Sequence, residues 1–189
     1  MLTIVFSIGL AAAVSIIGLY ASTLVIPGWR FWPPGEKSWK YFLHWGLIAV
    51  FNVTAIGVAV LDWNSGVLPR PASLVVGVPV ALVGIWVYVR SEGEFDTDET
   101  TGLEGDLHTT GAYARSRNPQ YVGMLVGLAG FILVVNSLFL TILLAIHICW
   151  LLLLPFVEEP WLEQQFGEPY RKYTNEVPRF VGKKTFERD

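Results

Sequence analysis

The chain has 189 residues, 53% of them hydrophobic and only 15% charged, against about 25% charged in a typical soluble domain, which excludes an ordinary soluble enzyme and points to one membrane domain. A net charge of −3 without a basic stripe excludes a nucleic-acid binder, because phosphates need cations to neutralise them. The single cysteine, Cys149, has no partner for an internal disulfide and no Cys or His neighbour at a zinc-ligand spacing, so no metal site is expected.

Residues 2–26 carry no charge and no lysine or arginine precedes them, so they read as a retained transmembrane helix rather than a signal peptide. Pro27, Gly28, Pro33, Pro34 and Gly35 break the chain, with Trp29, Trp32 and Trp39 placed as interfacial aromatics. A second span is predicted over 41–61, ending at Asp62 and a turn with Asn64, Gly66 and Pro69. The third covers 72–89, where Pro79 is expected to kink the helix without ending it. Asn52, Thr54 and His44 in the second span and Asn136 further on are expected to be satisfied by neighbouring helices or headgroups.

Residues 91–106 hold seven acids and no base, which requires solvent, and their spacing matches no EF-hand loop. Next comes GAYARSRNPQY, residues 111–121. Asn118 suits an N-cap and Pro119 the first helical position, while Arg115 and Arg117 stand beside the unpaired amides, an arrangement suited to an anion. Two apolar runs, 121–135 and 138–157, are separated only by Asn136 and Ser137 and read as a tight helical hairpin. Gly123, Gly127 and Gly130 recur at helical spacing, which lets this fourth helix approach a neighbour closely.

The expected fold is therefore all-α, with five transmembrane helices, a tight hairpin between the fourth and fifth, and an interfacial helix at the C-terminal end. With five spans, 12 of the 13 basic residues fall in the loop 27–40, the loop 90–120 and the tail 158–189, leaving only Arg70 opposite. The positive-inside rule then places those three segments in the cytoplasm and the N-terminus outside. His147 lies in mid-membrane 11 residues before Glu158, on the same helical face but about 16 Å away. Direct contact would need a bend at Pro155.

Glu158 and Glu159 are expected to end the fifth helix, followed by an amphipathic stripe of Trp161, Leu162, Phe166, Tyr170 and Tyr173 interrupted by Gly167 and Pro169. Here the residues resemble a known family. GAYARSRNPQYVG, then the hairpin, then EEPWLEQQFGEPYRKYTNEVPRF is similar to the isoprenylcysteine carboxyl methyltransferase and phospholipid methyltransferase family, over residues 107–180. The family pattern runs G-x-Y-x-x-x-R-H-P-x-Y-x-G, then E-E-x-x-L-x-x-x-F-G-x-x-Y-x-x-Y-x-x-x-V-P-R. Its histidine is Asn118 here, which keeps a cap and a donor but cannot titrate.

The resemblance implies an integral-membrane enzyme taking S-adenosylmethionine from the cytoplasm and a lipid-like or isoprenylated acceptor from the bilayer. It implies cofactor contacts at Leu107, His108, Tyr113, Arg117, Asn118, Tyr121, Glu158 and Glu159, with Arg117, Glu158 and Glu159 as the catalytic set. The cofactor carboxylate suits Arg117 and the helix-start amides, its ribose diol and cationic end suit the two glutamates, and Tyr113 and Tyr121 suit its adenine or sulfonium. A carboxylate acceptor would be positioned by Arg115 or Arg117; an amine acceptor would need Glu158 or Glu159 as base. The rival readings are an NADPH-dependent membrane sterol or enone reductase, and a non-catalytic scaffold or heme partner. Against the heme partner stands the spread of His44, His108 and His147 over different depths.

Overall fold

The computed structural model describes residues 1–93, 101–182 and 185. Most of the acidic run, residues 94–100, and the tail residues 183, 184 and 186–189 lie outside them. The protein is all-α, with no strand among the described residues. Its helices are α1 (Leu2–Val25), α2 (Trp39–Leu61), α3 (Arg70–Glu92), α4 (Pro119–Val135), α5 (Leu138–Phe166) and α6 (Glu168–Glu176), and a 3₁₀ turn, Gly111–Ala114, precedes α4.

Helices α1, α2, α3 and α5 are long and apolar enough to cross a membrane. Their outward faces carry large apolar side chains such as Val53, Ile56, Val60, Val75 and Trp86, each more than half exposed. A soluble protein rarely shows such a continuous apolar exterior, and lipid is the solvent that stabilises it. Helix α4 has 17 residues, about 25 Å at 1.5 Å per residue.

Helix α5 is the central element, packed on α1, α2, α4 and α6. Its buried side includes Leu140, Leu143, Leu144, His147, Trp150, Leu151 and Leu154. It does not end at Glu158 and Glu159 as the sequence predicts but runs unbroken through Pro155 and Pro160 to Phe166. A proline removes one amide donor. For Pro160 the carbonyl left over is that of Phe156, and both residues lie on the exposed side of the helix, where headgroups or water satisfy it. Gly167, at φ 59°, then turns the chain into α6. The aromatic side of α6 is spent on the protein: Tyr170, Tyr173 and Val177 pack with Leu107, Leu162 and Phe166.

Asn136 forms the tight turn between α4 and α5 in the left-handed conformation, φ 53°. Its amide nitrogen donates to Asn64 Oδ1 at 3.0 Å and to the Leu68 carbonyl at 3.1 Å, and its Oδ1 accepts from the Leu68 amide at 3.3 Å. The α2–α3 turn is thereby tied to the hairpin tip, and Arg70 adds a bond to the Val134 carbonyl at 2.6 Å. Thr54 is satisfied by its own helix, at the Val50 and Phe51 carbonyls. Asn52 departs from expectation, being exposed on α2 rather than paired with a neighbouring helix.

The neighbour that α4 approaches is α3. A methyl group on Gly123 would stand 2.5 Å from the Tyr88 backbone nitrogen, and one on Gly130 would collide with the Ala81 backbone. At Gly127 the nearest atom would be 3.8 Å away, an ordinary contact. The difference predicts that Gly130→Ala costs about 1–3 kcal/mol of overpacking, while Gly127→Ala leaves thermal unfolding in detergent nearly unchanged. Equal losses at both positions would contradict this packing.

Candidate active site

A cleft opens where the ends of α4 and α5, the segment before α4 and helix α6 converge. All eight residues expected at the cofactor line it: Leu107, His108, Tyr113, Arg117, Asn118, Tyr121, Glu158 and Glu159. The hairpin brings them together, since the chain turns at Asn136 and returns along α4's own path. Tyr121, at the start of α4, therefore meets Glu158, donating its hydroxyl to Oε1 at 2.7 Å.

The two adjacent glutamates have different surroundings. Glu158 Oε1 also accepts from Trp32 Nε1 at 2.8 Å, while Oε2 has no hydrogen-bond partner among the described residues. Glu159 is taken up on both oxygens. Its Oε1 pairs with Arg117 Nη1 at 2.9 Å and Arg179 Nε at 2.8 Å, and its Oε2 with Arg179 Nη2 at 2.7 Å. The Glu159 bonds hold the Arg179 guanidinium above its usual range, so it stays charged. Consecutive helical residues point about 100° apart, which sends Glu158 toward Trp32 and Glu159 toward the C-terminal segment.

That segment is docked by its backbone as well. The Arg117 amide donates to the Pro178 carbonyl at 2.9 Å, and the Asn118 side-chain amide donates to the Arg179 carbonyl at 2.8 Å. Asn118 does occupy the N-cap position, yet its side chain makes no capping bond. It is a tie to the C-terminal segment, a use for which its NH₂ group is better suited than a carboxylate would be.

Two buried donors of cleft-wall residues have no hydrogen-bond partner among the described residues: Arg117 Nε and Gln120 Nε2. Unpaired buried donors cost free energy, so these two are the wall's candidates for meeting an acceptor. On the opposite side Tyr173 donates to the Tyr113 carbonyl at 2.8 Å, which seats α6 on the 3₁₀ turn. Burial and the nearby Glu159 push the Tyr170 phenol up, so it remains a protonated donor beside Arg117. Arg115 is exposed and does not line the cleft.

Sequence reasoning missed Trp32, Gln120, Arg179 and Tyr170. Trp32 lies in the α1–α2 loop, stacked 3.8 Å from the His44 ring, whose Nδ1 is 3.3 Å from the Tyr20 hydroxyl. His44 is thus structural, one layer behind the site. Gly102, at φ 83°, passes directly over the Trp32 ring, where a side chain would collide. The Gly35 amide donates to the Gly102 carbonyl at 3.2 Å, which holds the segment leading to Leu107 in place. His147 does not reach the cleft, and its ring packs on Phe51 and Trp150.

The family model for phospholipid methyltransferases matches residues 72–169, just over half of the chain. The chain belongs to the phospholipid methyltransferase family. The match begins near the start of α3, earlier than the two motifs alone indicate, and favours methyl transfer over the reductase and scaffold readings. It leaves out Trp32, Tyr170, Tyr173 and Arg179, all of which line or brace the cleft. No match was found among curated proteins or among solved structures.

Arg179 is the most testable brace. Arg179→Ala should lower stability by about 1 kcal/mol, a figure kept small because the arginine side chain is about one third exposed. Arg179→Lys should recover only part of it, since an ammonium cannot make two parallel bonds to one carboxylate. Thermal unfolding of the two variants in detergent decides, and full recovery by lysine would contradict the bidentate role.

Proposed function

We propose that the protein is an S-adenosylmethionine-dependent methyltransferase acting on the amine of a lipid-like acceptor drawn from the bilayer. The observation that carries this reading is the pairing of orphaned donors, Arg117 Nε and Gln120 Nε2, with the unused Glu158 Oε2 in one cleft. The donors fit the carboxylate of the cofactor's amino-acid end. The rings of Tyr113, Tyr121 and Tyr173 line the cleft and suit its adenine and its cation. Bound there, S-adenosylmethionine supplies an electrophilic methyl group.

What the chain must add is alignment, exclusion of water and, for an amine, removal of a proton. Leu162, Phe166 and α6 keep water out. Glu158 accepts the proton at Oε2 while Trp32 and Tyr121 fix Oε1, which leaves the free oxygen in one orientation. A carboxylate acceptor would instead need a spare cation. In this reading Arg117 is already shared between Glu159 and the cofactor's carboxylate and Arg115 lies outside the cleft, so the amine is the better fit.

Three measurements test this. S-adenosylmethionine should raise the melting temperature of the detergent-solubilised protein and NADPH should not; the reverse result overturns the reading. Arg117→Ala should lose cofactor binding, whereas Glu158→Gln should keep most of it and lower kcat by roughly 100-fold or more. The methyl label on the lipid product should survive mild alkali, as an N-methyl group does and a methyl ester does not. Alkali-labile product would return the assignment to a carboxylate.

The reading also requires five spans, with the N-terminus outside and the cleft cytoplasmic. Helix α4 is short, but it is tied at its start to Glu158 of α5 through Tyr121 and at its end to the α2–α3 turn through Asn136, which supports its crossing alongside them. In a Cys149→Ala background, a cysteine at Lys37 should react with an impermeant maleimide only after the membrane is opened, and one at Arg70 in intact cells. Labelling of both from one side would remove the five-span topology.

A further inference from the structure

A second recess lies on the other side of Trp161 from the cleft. It is lined by the end of α1 (Thr23, Leu24), the loop residues Trp29 and Arg30, Lys40 of α2, and Val157 and Gln164 of α5. Arg30 and Lys40 are both half-buried, and neither pairs with a carboxylate among the described residues. Their positions are instead set by rings and backbone. The Arg30 guanidinium lies 5.6 Å from the Trp161 ring centre, and the Lys40 ammonium lies 4.4 Å from that of Trp29. Lys40 also donates to the Arg30 carbonyl.

The scaffold under these cations is pinned. Trp29 Nε1 donates to Ser22 Oγ at 3.0 Å, and the Phe31 amide donates to Thr23 Oγ1 at 3.0 Å, folding the loop back on the last turn of α1. A cation held over a ring keeps its outer N–H groups available and its charge unneutralised. Two such cations in one recess at the end of a membrane helix make a site suited to an anion. The wall is not polar throughout: Leu24 is 45% exposed, and Val25 and Ile26 beside it are more exposed still. An amphipathic anion fits that combination better than a free one.

We propose that this recess binds the phosphodiester of a membrane glycerophospholipid, with the phosphate between Arg30 and Lys40 and an acyl chain along Leu24 of α1. The chemistry recognised is a phosphate with an apolar tail, as basic pockets between membrane helices recognise headgroups. The site is separate from the methyl-transfer cleft and uses none of its donors, although the two share the Trp161 wall.

The test titrates the full-length protein in nonionic detergent with dioctanoylphosphatidylglycerol, inorganic phosphate or dioctanoylglycerol, following thermal unfolding. The phospholipid should stabilise the protein, and each of the other two should be at least about tenfold weaker. Arg30→Gln keeps the backbone carbonyl that receives Lys40, so the loop survives, and this variant alone should weaken phospholipid binding by about tenfold. Adding Lys40→Gln should weaken it further, cooperative unfolding without lipid being the check that both variants fold. Inorganic phosphate as effective as the phospholipid would make this a site for a soluble anion and overturn the proposal. Equal stabilisation by dioctanoylglycerol, or unchanged phospholipid binding by Arg30→Gln, would overturn it as well.

Discussion

One carboxylate oxygen joins three distant parts of the chain. Glu158 Oε1 accepts from Trp32 in the first loop and from Tyr121 at the start of α4, while its own backbone belongs to the central helix. A carboxylate removed from bulk water is costly unless its lone pairs are met. Trp32 and Tyr121 meet them with neutral donors, so no cation is drawn in to occupy Oε2. Much else follows from keeping those two donors in place. His44 and Tyr20 exist behind Trp32 to hold its ring, Gly102 lets the segment 101–106 pass over it, and the glycines between α3 and α4 set the position of Tyr121.

The adjacent glutamate solves the opposite problem. Its two oxygens bind two arginines, one at the start of α4 and one beyond α6, so it closes the structure around the cleft. Glu159 pairs with Arg179 and with one nitrogen of Arg117, while Arg117 Nε and Gln120 Nε2, both buried, have no hydrogen-bond partner among the described residues. The fold thus uses one glutamate to hold two guanidiniums in orientation and leaves the other with one oxygen unpaired among the described residues.

Much of this was legible in the residues. The apolar runs mark where the helices lie, and the two-residue break at Asn136 and Ser137 forces a hairpin that returns Glu158 to Tyr121. The resemblance to the family then implies the eight cleft residues without a structure. The misses share a cause, which is that a side chain's partner across space leaves no periodic trace. Trp32 reads as one more interfacial tryptophan, Gln120 falls between the motif positions, and Arg179 counts as a tail charge under the positive-inside rule. Asn118 shows the same limit, since the capping position is visible in sequence whereas the carbonyl of Arg179, 61 residues away, is not. Pro160 reads as a helix end only if the freed carbonyl is buried; here it lies on the exposed side, and the helix continues.

The family model covers α3 to the start of α6, yet the cleft cannot close with those elements alone. Trp32 comes from the α1–α2 loop, and Arg179 and Tyr173 come from beyond the matched segment. The hairpin thus brings the matched residues together, while part of the walls is supplied by segments outside the matched residues. Trp161 makes the consequence concrete, because one face of its surroundings is the cleft and the other is the Arg30–Lys40 recess. Arg30 lies over its ring, so an anion that pulls on the guanidinium also loads the indole that separates the two spaces. The α1–α2 loop therefore holds Glu158 through Trp32 and carries Arg30, two residues earlier, over the cleft wall. Its rigidity, set by the bonds from Trp29 and Phe31 to α1, bears on the carboxylate and the wall together.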